Sequence, residues 1–121
     1  MTTEPTPDPA YADNLAVFLA ALHGRRTLLL RHAGRRGETV RRVAPLDIGP
    51  SRIAGDTAVR FHYWDYDATR GAKLASFAPG DILGLEPDGA TFDPADIVTW
   101  PVAGSPWRVA RDWGALSNPS G

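Results

Sequence analysis

Ala58-Val59-Arg60-Phe61-His62-Tyr63-Trp64-Asp65-Tyr66-Asp67 is the stretch on which the fold turns. β-Branched and aromatic residues alternate there with polar or basic ones, and a two-residue period belongs to a strand whose successive side chains point to opposite sides of a sheet. Val59, Phe61 and Tyr63 would then face a core, while Arg60, His62, Trp64 and Tyr66 share the other side. A single strand thus offers a packing face and a cationic, aromatic face, and the second is where a binding surface is expected. The plainer reading is that Trp64 and Tyr66 cover the mouth of a small β domain while Arg60 and His62 are merely solvated.

Outward from this strand, turns come at short intervals. Asp67 to Gly71 is a polar turn, so Lys73-Leu74-Ala75-Ser76-Phe77 is expected to pair back antiparallel. Pro79-Gly80 turns again, Asp81-Ile82-Leu83-Gly84-Leu85 is a further apolar run, Pro87-Asp88-Gly89 turns once more, and Thr91 to Pro94 leads to Ile97-Val98-Thr99-Trp100. Upstream, Thr27 to His32 and Thr39 to Ala44 read as a hairpin about Gly34 and Gly37. Pro45 marks its end, because proline cannot donate to a ladder. Leu46 to Asp56 carries only weak strand signals.

Asp8 is a plausible N-cap with Pro9 at the first helical position, and Tyr11, Leu15, Phe18, Leu19 and Leu22 recur at helical spacing before Gly24. Residues 1–8 form a polar leader expected to be disordered, residues 9–100 the folded domain, and residues 101–121 a tail. Trp107, Val109 and Trp113 in that tail suit docking, either on the same chain or on a neighbouring subunit. One helix followed by about five short strands predicts a mainly β domain closed, or nearly closed, into a small barrel, since closure hides edges that so short a sheet would expose.

With 121 residues and a formal net charge of -1, one domain is expected, but its charge is unevenly spread. The stretch from Arg25 to Arg42 holds Arg25, Arg26, Arg31, Arg35, Arg36, Arg41 and Arg42 against the single acid Glu38, whereas that from Asp81 to Asp96 holds Asp81, Glu86, Asp88, Asp93 and Asp96 without a base. A basic half attracts phosphates through its local field over roughly 8 to 10 Å. Alternatively, the two segments neutralise one another in the fold or in a head-to-tail oligomer. Every basic residue except Lys73 is arginine, which suits bidentate anion recognition and aromatic stacking, although a chain rich in Ala, Gly and Pro also fits a bias in base composition.

Cysteine is absent, which excludes disulfides, thiolate nucleophiles and Cys-based zinc sites. No signal-peptide pattern or membrane-length apolar run is present, so a cytoplasmic protein with no membrane partner is expected. His23, His32 and His62 lack metal-binding spacing, and only His32 with His62 could share neighbouring strands. Asp65 and Asp67 beside Arg70 read as turn residues, and no phosphate loop or nucleophile elbow occurs. The expectation is a domain that is not an enzyme and holds neither metal nor cofactor.

From about Leu22 to Pro94 the chain resembles the WYL domain of bacterial transcriptional regulators, a small Sm-like or SH3-like barrel. The resemblance is carried by Arg25-Arg26, the strand ending at His32, Arg41-Arg42-Val43-Ala44-Pro45-Leu46, the central strand through Tyr66-Asp67, Ser76-Phe77 to Ile82, and Phe92-Asp93-Pro94. Phe61-His62-Tyr63 stands where the family has Trp-Tyr-Leu, and His32 where it has tyrosine. Ala75, Ala78 and Asp81 stand where it has arginines. The resemblance implies a pocket for nucleic acid or a nucleotide-like effector, lined here by Arg41 or Arg42, His62 and Lys73. With no helix-turn-helix pattern before the strands, it implies a stand-alone sensor or the partner of a transcription-regulatory protein.

Two functions are therefore expected. In the first, Arg25, Arg26, Arg41, Arg42 and Arg60 hold the phosphates of single-stranded nucleic acid or a nucleotide, with Trp64 or Tyr66 as a stacking platform. In the second, an oligomerising barrel buries its aromatic face and tail against a partner.

Overall fold

The computed structural model describes residues 9–34, 37–50, 59–68, 73–100 and 107–117. Helix α1 spans Pro9–Gly24, and five strands follow: β1 (Arg26–Gly34), β2 (Gly37–Pro50), β3 (Val59–Asp65), β4 (Leu74–Phe77) and β5 (Ile82–Thr91). They form one sheet in the order β4-β3-β2-β1-β5, and every pairing is antiparallel.

The expected helix and mainly β fold are present. Barrel closure is not: β4 and β5 lie at opposite ends of the sheet and do not pair. The sheet instead curls around α1. Its curvature brings the Phe77 ring of β4 to 4.5 Å from the His32 ring of β1 across the concave face.

Pro45 does not end its strand. It pairs with Tyr63 in β3, and the register shifts between Pro45 and Asp47. A bulge of this kind tolerates the missing donor of a proline and bends the strand. The first half of β2 can thereby pair with β1 and its second half with β3. Pro87 likewise lies inside β5, opposite Leu28, because β5 is an edge strand and needs no donor on its open side. Gly89, at φ +83, supplies the left-handed residue that lets β5 continue to Thr91 instead of turning back. Ile97-Val98-Thr99-Trp100 is not a strand; Pro94–Asp96 forms a 3-10 turn that delivers Ile97 and Val98 to the core.

The concave face carries Leu28, Leu30, Val43, Phe61 and Tyr63, and α1 covers it through Phe18 and Leu22. Phe18 and Phe61 meet with ring centroids 4.9 Å apart. Both are fully buried, each contributing roughly 1.5 to 3 kcal/mol by leaving water. Leu15 and Leu19 of the expected helical stripe are half-buried, and Asn14 is buried instead, donating Nδ2 to the carbonyl of Ile82. Asp8, the Tyr11 side chain and the leader lie outside the described residues.

Residues 107–117 pack on the same chain. Trp113 donates its indole N–H to the Leu22 carbonyl at 2.9 Å, at the end of α1, and packs edge-on against Phe92 and Trp107.

Candidate functional site

Alternation along β3 separates the two faces as the sequence suggests. Phe61, Tyr63 and Asp65 are buried, and Arg60, His62 and Trp64 are half-buried on the convex face, opposite α1. Val59, expected in the core, is 44% exposed at the strand's start. His62 Nε2 lies 2.8 Å from the Gly49 carbonyl, and since a carbonyl only accepts, Nε2 carries the proton and Nδ1 is left for another partner. Trp64 sits between its cross-strand neighbours Ala44 and Leu74. Tyr66, just past β3, lies under the Arg42 guanidinium, 5.6 Å from its ring centroid. Burial raises the Tyr66 phenol above its ordinary range, and the Arg42 charge works against that rise.

The structure does not gather the nine candidate residues on one concavity. Arg60, His62 and Trp64 share the convex face, with Arg42 and Tyr66 on the adjoining strand and turn. Arg41 pairs with Leu30 in register and so points to the concave side. There it lies 3.7 Å from the Asp65 carboxylate and donates to the Asp67 carbonyl. Arg25 and Arg26 sit at the α1 to β1 junction. Arg25 donates to the Asp112 carbonyl at 2.8 Å, while Arg26 borders a shallow apolar hollow with Val17, Ala20, Ala21 and Pro87. Lys73 is exposed just before β4, and its carbonyl accepts the Asp65 N–H.

Several of these cations are already engaged. Arg42 pairs with Asp88 at 2.6 Å and Arg31 with Glu38 at 3.1 Å, so the basic stretch meets an acid of the later acidic stretch within one fold. His32 lies against Phe77 on the concave face while His62 is on the convex one, so the two histidines do not form a site. Among the described residues no group of three or more His, Cys, Asp or Glu is placed to hold a metal ion.

Sequence reasoning missed Asp47, Arg108 and Arg111. The Asp47 carboxylate accepts the backbone N–H groups of Ile48, Arg108 and Val109 and one N–H of the Arg111 guanidinium. Arg111 is fully buried between two indoles, 4.0 Å from the Trp107 centroid and 4.4 Å from that of Trp113, and it donates to the Leu46 carbonyl at the β2 bulge. Burial pulls the guanidinium down to about 10, and the Asp47 charge opposes that shift. The Arg108 stem crosses β2 at Gly49: a Cβ there would stand 2.8 Å from Arg108 Nε. Gly49 pairs with Arg60 and Asp47 with His62, so Arg108 belongs to the same convex face. The signal was the pattern Trp107-Arg108-Val109-Ala110-Arg111-Asp112-Trp113, which alternates with a period of two once Arg111 is counted among the inward positions.

The resulting face offers guanidinium donors, an imidazole nitrogen and an indole surface. Such groups hold an anion and stack on a planar ring. No helix among the described residues is long and apolar enough to cross a membrane.

No family model matches the sequence, and neither does any curated protein. The backbone is similar to part of proteasome accessory factor B/C (PafBC) of Arthrobacter aurescens, with a TM-score of 0.59 and 23% sequence identity over 77% of this chain. The likeness takes in 14% of the PafBC chain, and at that identity it speaks for the fold alone.

Proposed function

We propose that this chain is a non-catalytic regulatory module that senses single-stranded nucleic acid or a nucleotide on the convex face of its sheet. The observation that carries the reading is the row Arg60, His62 and Trp64 at alternate positions of β3. It sets cationic and hydrogen-bonding groups for phosphate beside an indole for a base. The likeness to part of PafBC, a WYL-domain-containing transcriptional regulator, supports a regulatory role; the partner we propose is a transcription-regulatory protein of the cytoplasm. The reading requires no metal or cofactor.

Fluorescence anisotropy of labelled short single-stranded DNA, RNA and mononucleotides over several salt concentrations tests it. Trp64→Ala should weaken binding by roughly 1 to 3 kcal/mol with little change of salt slope. Arg60→Ala should lower the slope by about 0.7, the contribution of one phosphate contact on a single strand. Arg41→Ala, on the opposite face, should leave the slope alone. Absence of binding by the wild type at low salt would reject the reading.

A homo-oligomeric or protein-interaction role rests on a different observation. Leu74 is 47% exposed beside Trp64 on β4, an edge strand with open backbone groups. An elution volume that falls with concentration, and recovers in Leu74→Lys, would favour it.

A further inference from the structure

We infer that the C-terminal segment supplies a phosphate-contacting residue to the convex face, Arg108, and that Asp47 is the residue that positions it. The inference rests on the proposed convex-face site and deepens it. Asp47 and Gly49 stand at alternate positions of β2, paired with His62 and Arg60, so all four positions share one face. The Asp47 carboxylate takes the N–H groups of Arg108 and Val109 at 3.0 Å each, which fixes the backbone from which the Arg108 side chain leaves. Because Gly49 has no side chain, the Arg108 stem lies directly on β2, within 3.3 Å at Cγ of where a Cβ would be.

Arg108 itself is exposed, and its guanidinium forms no ion pair among the described residues. It differs in this from Arg41, Arg42 and Arg111, whose charges are met by Asp65, Asp88 and Asp47. The imidazole of His62 stands on the Gly49 carbonyl, beside the same crossing point. A phosphate seated over Gly49 would thus find guanidiniums arriving from two distant parts of the chain, Arg60 from β3 and Arg108 from the C-terminal segment. Remote segments joined by one buried clamp make the site conditional on docking. Release of residues 107–117 would remove a cation from the face without touching β3.

The test uses the full chain and a fluorescein-labelled oligothymidylate of about eight nucleotides, within the span covered by small single-strand-binding folds. Affinity is measured from low to high salt for wild type, Arg108→Ala, Arg108→Lys, Asp47→Asn and the Asp47→Asn/Arg108→Ala pair. Arg108→Ala should lower the salt slope by about 0.7 and weaken binding about eightfold at roughly 50 mM salt, while Arg108→Lys keeps the slope. Asp47→Asn should approach the loss seen for Arg108→Ala, and the double variant should be no weaker than Arg108→Ala alone, the non-additivity expected of two residues acting through one contact. If Trp64→Ala weakens binding but Arg108→Ala changes neither slope nor affinity, the inference falls and the convex-face reading stands. If the wild type binds no oligonucleotide at low salt, both fall together. Arg108 is exposed, so its variants remain decisive even if Asp47→Asn destabilises the fold.

Discussion

Replacing Asp47 by alanine should cost about 3 to 5 kcal/mol, the loss typical when one partner of a buried ion pair is removed. The carboxylate is the shared acceptor of three backbone N–H groups and of the fully buried Arg111 guanidinium. Hydrogen bonds to a charged group are each worth about 1.5 to 3 kcal/mol, but the losses do not sum. Water can reach the Arg108 N–H, and Arg111 keeps the Leu46 and Val109 carbonyls and both indole faces. Asparagine separates charge from geometry. Oδ1 receives Ile48, Val109 and Arg111 and shares the Arg108 N–H with Oδ2, which receives nothing else among the described residues. An amide holding Oδ1 in place would oppose its NH2 to the Arg108 N–H, for a loss of about 1 to 3 kcal/mol. Urea unfolding followed by circular dichroism and by tryptophan fluorescence measures both. With a denaturant slope of about 1.5 kcal/mol/M, the alanine midpoint should fall by about 2 to 3 M. Trp107 and Trp113 should report the change at lower urea than the sheet does, because the clamp holds their segment. A midpoint for Asp47→Ala within about 0.3 M of wild type, with native tryptophan emission, would refute the clamp, since that is the scatter of ordinary surface changes.

Phe18→Ala empties a site in the fully buried seam between α1 and β3 and should cost about 3 to 5 kcal/mol, read as a lowered urea midpoint. Burial, reinforced by the Asp65 charge, raises the Tyr63 phenol well above its ordinary value of 10.0, so its stabilising contribution is complete below pH 10 and is lost as pH rises through the folded value. Alkaline unfolding should therefore begin above about pH 10 and move upward in Tyr63→Phe, as phenolate absorbance and circular dichroism would record together. Arg111 acts with the opposite sign. Its folded value of about 10 lies below that of an ordinary guanidinium, so above pH 10 the unfolded chain binds the extra proton, and this group's burial penalty shrinks as pH rises. Arg42→Ala should cost no more than about 1 kcal/mol, an amount that shrinks in high salt, because the Arg42 side of its pair with Asp88 is about half exposed.

Much of the fold was legible because period and packing agree. The alternation from Val59 to Asp65 places Phe61 and Tyr63 inward and His62 and Trp64 outward as written. Proline misled for a definite reason. Pro45 reads as a boundary from the donor it lacks and Pro87 as the start of a turn, yet one adjoins a bulge and the other lies on an edge, where a ladder can spare that donor. Whether a strand is central or at an edge is a property of the sheet, and no window of sequence contains it. Closure failed as an inference for a related reason: the curl that joins His32 to Phe77 depends on where the β2 bulge falls.

The site was less legible than the fold because charge in the sequence is not charge on a face. Arg41 and Arg42 are adjacent, and adjacency on a strand sends them to opposite sides, one to Asp65 and the other to Asp88. A run of arginines on a strand therefore divides itself between faces, while arginines far apart in sequence can meet. Arg60 and Arg108 share a face at Gly49, which pairs with the first across the strands and lies under the stem of the second. What holds Arg108 there is one carboxylate, Asp47, in a stretch with only weak strand signals and no cluster of acids. The convex face thus depends on the C-terminal segment more than on the basic stretch that first drew notice. Loss of Asp47 should reach it before loss of Arg25 or Arg26, which lie at the end of α1.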